Sequence, residues 1–198
     1  MPAKHRLKIY IEDSYYHVFN RGVNKAKIFI DEQDYWYFIK LISRYLEPYN
    51  NEEAKGEYPN FAGEVSIVAY CLMPNHFHIL LHQVSEQGMT KFMRALSTSY
   101  TMYMNKKYHR VGTLFQGSFK AIHISNDSYL THLSRYIHRN PNLWELYPHS
   151  SYRQYLKTDH PYWLQNDIVL SQFKDIAEYK QFTKDYDKYP ELEIEEIY

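Results

Sequence analysis

A single cysteine, Cys71, excludes an internal disulfide framework and any multi-cysteine zinc or iron–sulfur site, and a reducing, cytoplasmic setting is the expectation. No apolar run approaches the roughly 18 residues that a membrane helix needs. The N-terminus, MPAKHRLKIYIEDSYY, is charged throughout and has no apolar stretch of the kind a signal peptide carries. Net charge is also missing: 23 Lys+Arg against 23 Asp+Glu sum to +0 over 198 residues, which argues against a simple polycationic nucleic-acid binder. There is no internal repeat and no low-complexity tract. Aromatic side chains are abundant instead, with 22 Tyr, 10 Phe and 3 Trp. Hydrophobic residues make up 44%, enough for a packed core in one large domain or a domain with an appendage.

The zero is a sum of unlike blocks. Residues 1–27 carry six basic and two acidic side chains, and residues 88–139 carry eight basic ones against Asp127 alone. Residues 28–64 and 140–198 are each acidic by five charges. Two basic segments in a neutral chain suit a protein that meets a polyanion on one face and is solvated by carboxylates elsewhere.

Periodicity predicts a strand over Ser14–Asn20, ending at Arg21-Gly22, and a helix over Asp34–Leu46 that stops before Pro48. A polar loop, 49–63, precedes a strand over Glu64–Leu72, the turn Met73-Pro74-Asn75 and a second strand over His76–His82. These two strands are expected to pair as a hairpin. A long helix follows over Thr90–Lys107, then a strand over Phe119–Ile124. Asn126-Asp127-Ser128 offers N-caps for a helix that ends at Asn140 before Pro141, and Asp167–Tyr186 reads as one C-terminal helix. Mixed strands and helices around a central hairpin favour an antiparallel α+β sandwich over a doubly wound sheet.

His76 and His78 stand two apart on a strand, so both imidazoles project from one face while Phe77, Ile79 and Leu81 enter the core. Two such imidazoles can chelate a divalent cation. A metallo-β-lactamase pattern would require Asp at position 80, which is Leu80, so the remaining ligands must come from another segment. In the helix ending at Asn140, His132, Tyr136 and Asn140 share one face by their i, i+4, i+8 spacing, opposite Leu130, Leu133 and Ile137. Two histidines, an amide oxygen and a tyrosine form a coherent phosphoryl-transfer site, with His132 as a possible proton relay. Arg21, Lys120, Arg135 and Arg139 are candidates for phosphate contacts, and Phe115 and Phe119 for stacking on unpaired bases. His17 reads as a hydrogen-bonded structural histidine, and His82 lies too far along its strand to join the pair.

AYCLMPNHFHILLH (69–82), VGTLFQGSFKA (111–121), YLTHLSRYIHRNP (129–141) and YPHSSYRQYL (147–156), with YYHVFNRG (15–22), together resemble the REP-associated tyrosine transposases. These are single-tyrosine HUH (His-hydrophobic-His) nucleases related to small insertion-sequence transposases. The resemblance runs in order across residues 14–156. It implies a ferredoxin-like or RRM-like sandwich with a central antiparallel sheet and helices packed on it. Residues 1–156 would form the transposase domain and 157–198 a C-terminal helical extension with an acidic tail. It also implies Mg²⁺- or Mn²⁺-dependent cleavage of single-stranded DNA near a hairpin through a covalent 5′-phosphotyrosine. By position, Tyr136 matches the nucleophile, His76 and His78 the HUH pair, and Asn140 the third ligand, which is Gln in the insertion-sequence relatives. Such proteins act as monomers or as homodimers. The alternative is a non-catalytic module of the same fold that binds structured nucleic acid; a water-using hydrolase in which Tyr136 only orients the phosphate is a third reading.

Overall fold

A computed structural model describes residues 10–49, 58–157 and 159–185. The acidic tail at 191–198, most of the 49–63 loop and the basic residues 1–9 lie outside the described residues. Four strands, β1 (Ser14–Arg21), β2 (Val65–Met73), β3 (His76–Gln83) and β4 (Lys120–Ile124), form one sheet in the order β2-β3-β1-β4, with every neighbouring pair antiparallel. Helix α1 (Glu32–Leu46) links β1 to β2 and α2 (Gly88–Lys107) links β3 to β4. This is the ferredoxin-like arrangement that the resemblance implied, and an antiparallel α+β sandwich as the patterning favoured. Past β4, α3 (Asp127–Arg139) and the short helices α4 (Tyr152–Tyr155), α5 (Asp167–Leu170) and α6 (Ile176–Lys184) complete the described chain.

Strand alternation sorts side chains into two layers. Tyr16 and Val18 of β1 and Phe77, Ile79 and Leu81 of β3 join α1 and α2 in one core, with Phe38, Phe92, Leu96 and Tyr100. Leu80 and Ile124 face the other layer, where Leu130, Leu133 and Ile137 of α3 pack with Tyr152, Tyr155, Val169 and Tyr179. Burying each of those three aliphatic side chains of α3 contributes about 2 kcal/mol. An irregularity in the β2–β3 register between Ile67 and Ala69 makes Val68 a bulge. It lets Val65 and Ile67 face the α1/α2 core and, beyond it, Ala69 and Cys71 face α3.

Helix ends follow local chemistry. Asp31 caps α1 by accepting from the Asp34 N–H at 3.2 Å, while the Asp34 carboxylate accepts from the backbone N–H of Asp31 and Ile30. Asp34 is fully buried and also bonds Lys107 Nζ, Tyr103 and Tyr108, which ties α1 to the end of α2. Asn126 caps α3 by accepting from the N–H of Ser128 and Tyr129. The C-terminal helix expected over 167–186 is two helices. Asp175 starts α6 afresh by accepting from the Glu178 N–H at 2.9 Å, and Glu178 in turn accepts from the Lys174 N–H.

Candidate active site

The two-residue turn Pro74-Asn75 delivers His76 as the first residue of β3. The turn is held from outside: Pro74 O accepts from the N–H of Ile28 and Phe29, and Asn75 O accepts from that of Gly22. Gly22 is required there, because a Cβ would lie 2.1 Å from Ala26 O. Register then places Arg21 opposite His76 and Phe19 opposite His78. On the other side, α3 packs its apolar stripe on the sheet and turns Tyr136 and Asn140 toward the histidines.

The geometry brings four of the expected groups together. The rings of His76 and His78 are 5.1 Å apart between centroids. The half-buried Tyr136 ring stands edge-on to His78 at 5.7 Å. Asn140 Oδ1 lies 3.2 Å from His76 Nε2. A fifth group joins them: His17 Nε2 is 2.9 Å from His78 Nδ1, and its ring is 6.4 Å from that of Tyr136. His17 is thus hydrogen-bonded, as expected, but inside the site. Strand parity signalled its face; its partner was not visible in one dimension.

All three imidazoles are neutral at pH 7. Burial pushes His17 down to about 3. Burial also holds His78 well below its ordinary value, with His17 and His76 adding to the effect. His76 is lowered by burial and by Arg21, against the opposing effect of its contact with the Asn140 side-chain oxygen. Neutral imidazole is the ligating form.

His76 lies between two asparagine side-chain oxygens. Asn75 Nδ2 donates to Lys25 O at 3.3 Å, so its Oδ1 is turned to His76 Nδ1, 2.7 Å away, and accepts. With its proton on Nδ1, the nitrogen with the shorter contact, neutral His76 would present the Nε2 lone pair on the side of Asn140 Oδ1. Nε2 and Asn140 Oδ1 are 3.2 Å apart. Donors bound to one octahedral cation at ~2.1 Å and at right angles lie ~3.0 Å apart, so the spacing fits a shared cation. Among the described residues no group of three or more His, Cys, Asp or Glu is placed to hold a metal ion. A cation here would take two imidazoles and an amide oxygen, a neutral set that leaves its charge for a phosphate. Such a set suits Mn²⁺ better than Mg²⁺, which prefers oxygen donors.

Several expectations need correction. Arg135 is fully buried, its guanidinium 4.1 Å from the Phe182 ring and donating to Phe182 O and His132 Nδ1, so it presents no charge to DNA. Arg139 donates to Thr183 O and Lys184 O and lies over Trp144. Both arginines serve the carbonyl end of α6, where cations are favoured. His132 accepts from Arg135 at 2.8 Å and packs on Phe182, which engages its Nδ1 toward α6. Phe115 is buried in the α1/α2 core, edge-on to Phe77, so it offers no platform to a base, whereas Phe119 is half-buried against that core with its ring 6.5 Å from that of Tyr10. Arg21 and Lys120 remain on the site's side, lining a cleft of ≈ 190 Å³ with Phe19, Asn20, Gln116 and Gly117. His82 instead meets Asp13 at 2.9 Å and stacks on Tyr15.

Residues 60–140 match the family model described as Transposase IS200 like, a span inside the 14–156 region of resemblance. No curated protein matches the sequence. Among solved structures, the fold is similar to that of a REP-associated tyrosine transposase bound to a REP hairpin. The identity is 15% and the TM-score 0.57, over 84% of this chain and 93% of that one. A candidate transposase from Deinococcus radiodurans R1 has 17% identity and a TM-score of 0.41, over 69% of this chain and 95% of that one. The tRNA(His) guanylyltransferase of Saccharomyces cerevisiae has 10% identity and a TM-score of 0.44, over 91% and 75%. These last two likenesses are too distant to carry an argument.

Proposed function

From its IS200-like transposase segment over 60–140, we propose that this protein is a metal-dependent single-stranded DNA endonuclease and strand transferase that cuts near a hairpin. Residues 1–156 are assigned to the transfer domain and 157–198 to an extension whose α6 braces the tyrosine helix. The carrying observation is the meeting, within one chain, of Tyr136 with His78 at 5.7 Å and of Asn140 with His76 at 3.2 Å. Hairpin DNA enters the proposal from the related fold, whose protein is bound to a REP hairpin.

His76, His78 and Asn140 would hold Mg²⁺ or Mn²⁺, which when bound polarises a non-bridging phosphate oxygen and offsets the charge that repels a nucleophile. The chain's own residues do the rest. Arg21 and Lys120 draw the phosphodiester backbone along the cleft beside His76. Tyr136 Oη attacks phosphorus, its proton passes to water, and the bond to the 3′ oxygen breaks with that oxygen taking up a proton. The 5′ phosphate stays on Tyr136, so the energy of the broken ester is kept, and a second 3′-hydroxyl can reverse the step without a nucleotide cofactor. The buried, aromatic surroundings of His78 limit water at the phosphotyrosine.

The test is incubation with labelled, hairpin-bearing single strands and Mn²⁺, followed by a denaturing gel. A covalent protein–DNA band is expected, lost on chelation and in Tyr136→Phe while DNA binding persists. Tight binding of hairpin strands with no covalent band in the wild type would overturn the reading and favour a binding module.

A further inference from the structure

We propose that His17 and Asn75 are a matched pair of positioning residues, which hold His78 and His76 in the tautomer that turns both Nε2 lone pairs toward one divalent cation. The inference rests on the metal-dependent reading above and says how the site is built. His17 lies one step diagonally from His78 across the β1–β3 ladder, opposite Leu80, with the two rings nearly parallel at 23° and their centroids 5.1 Å apart. Between His17 Nε2 and His78 Nδ1, 2.9 Å apart, two neutral imidazoles share a single proton. On His17, that proton would leave His78 with an N–H at Nε2 and no lone pair to give. On His78 Nδ1, it makes His17 the acceptor and frees Nε2 as a ligand.

Asn75 makes the same arrangement for His76 by independent means. Its Nδ2 is committed to Lys25 O, so its Oδ1 accepts from His76 Nδ1. Each histidine thus donates Nδ1–H backward to an acceptor from a neighbouring segment, one on β1 and one in the β2–β3 turn. His17 and His78 are 2% and 1% exposed, and Phe19 lies 5.0 Å and 6.0 Å from their rings, so water cannot replace a lost acceptor there.

Two measurements test this. Long-range ¹H–¹⁵N spectra of the metal-free wild type at neutral pH should show His76 and His78 protonated on Nδ1 and bare on Nε2. An Nε2 proton on His78 overturns the proposal whether or not any metal binds. Titration with MnCl₂ followed by electron paramagnetic resonance should then show His17→Leu weaker by about 10–100-fold, with His17→Gln, whose Oε1 can stand where Nε2 stood, within about threefold of wild type. Equal Mn²⁺ affinity in wild type and a folded His17→Leu also overturns it. A wild type that binds no Mn²⁺ sinks the metal-dependent reading instead, and the tautomer spectrum still decides this one.

Discussion

Acid should loosen the helix that carries Tyr136, and His138 sets how steeply. This imidazole is fully buried two residues past Tyr136, with Nδ1 2.8 Å from Tyr179 Oη on α6 and Nε2 2.7 Å from Ser151 Oγ. Burial pushes it down to about 3 in the folded protein from an ordinary value of 6.5. The unfolded chain therefore takes up a proton below pH 6.5 that the native state refuses until about pH 3. The stability tied to neutral His138 is fully present above the unfolded value and is lost as pH falls toward the folded one. Integrated from pH 7 to pH 5, the loss is about 2 kcal/mol. Urea unfolding followed by circular dichroism at both pH values measures it. His138→Gln can keep hydrogen bonds at the site and does not titrate, so the wild type should lose about 2 kcal/mol more than the variant. Contributions from His17 and His78 are common to both and cancel. Parallel losses in the two proteins would refute the reasoning.

Arg135→Met should lower stability by about 2–3 kcal/mol in the same assay, through lost charge-assisted hydrogen bonds to Phe182 O and His132. The salt dependence of DNA binding by the folded variant should stay unchanged, whereas a phosphate contact would give the reverse pattern. Cys71 is fully buried on β2, and burial pushes its thiol far up, so the native protein should resist iodoacetamide and react only after unfolding; rapid labelling at neutral pH would contradict its placement.

Much of the architecture was legible where one periodicity dominates. The alternation of β3 puts Phe77, Ile79 and Leu81 on one side and His76 and His78 on the other, and the stripe Leu130, Leu133, Ile137 sets which face of α3 packs on the sheet; Tyr136 and Asn140, expected opposite that stripe, instead border it and so reach the histidines. What escaped was set by tertiary contact. Arg135 reads as a flanking surface charge until α6 closes over it, and nothing in residues 127–140 announces a second helix on that flank. Phe115 sits in a segment without a period, so its burial against Phe77 could not be inferred. The break between α5 and α6 did have a signal, the Asp175 cap three residues before Glu178. The Val68 bulge had none, because no glycine or proline marks it.

The chemistry of the site comes down to counting. Between Met73 and His76 the chain takes two steps, and from there odd and even positions go to opposite sides of the sheet. A slip of β3 by one residue against β1 and β2 would send both imidazoles among the phenylalanines and bring Phe77 out beneath the phenol. A slip by two would restore the sides, whereas the single extra residue at Val68 reverses them further back on β2. At this hairpin, a shift of one in pairing decides which side of the sheet carries the imidazoles.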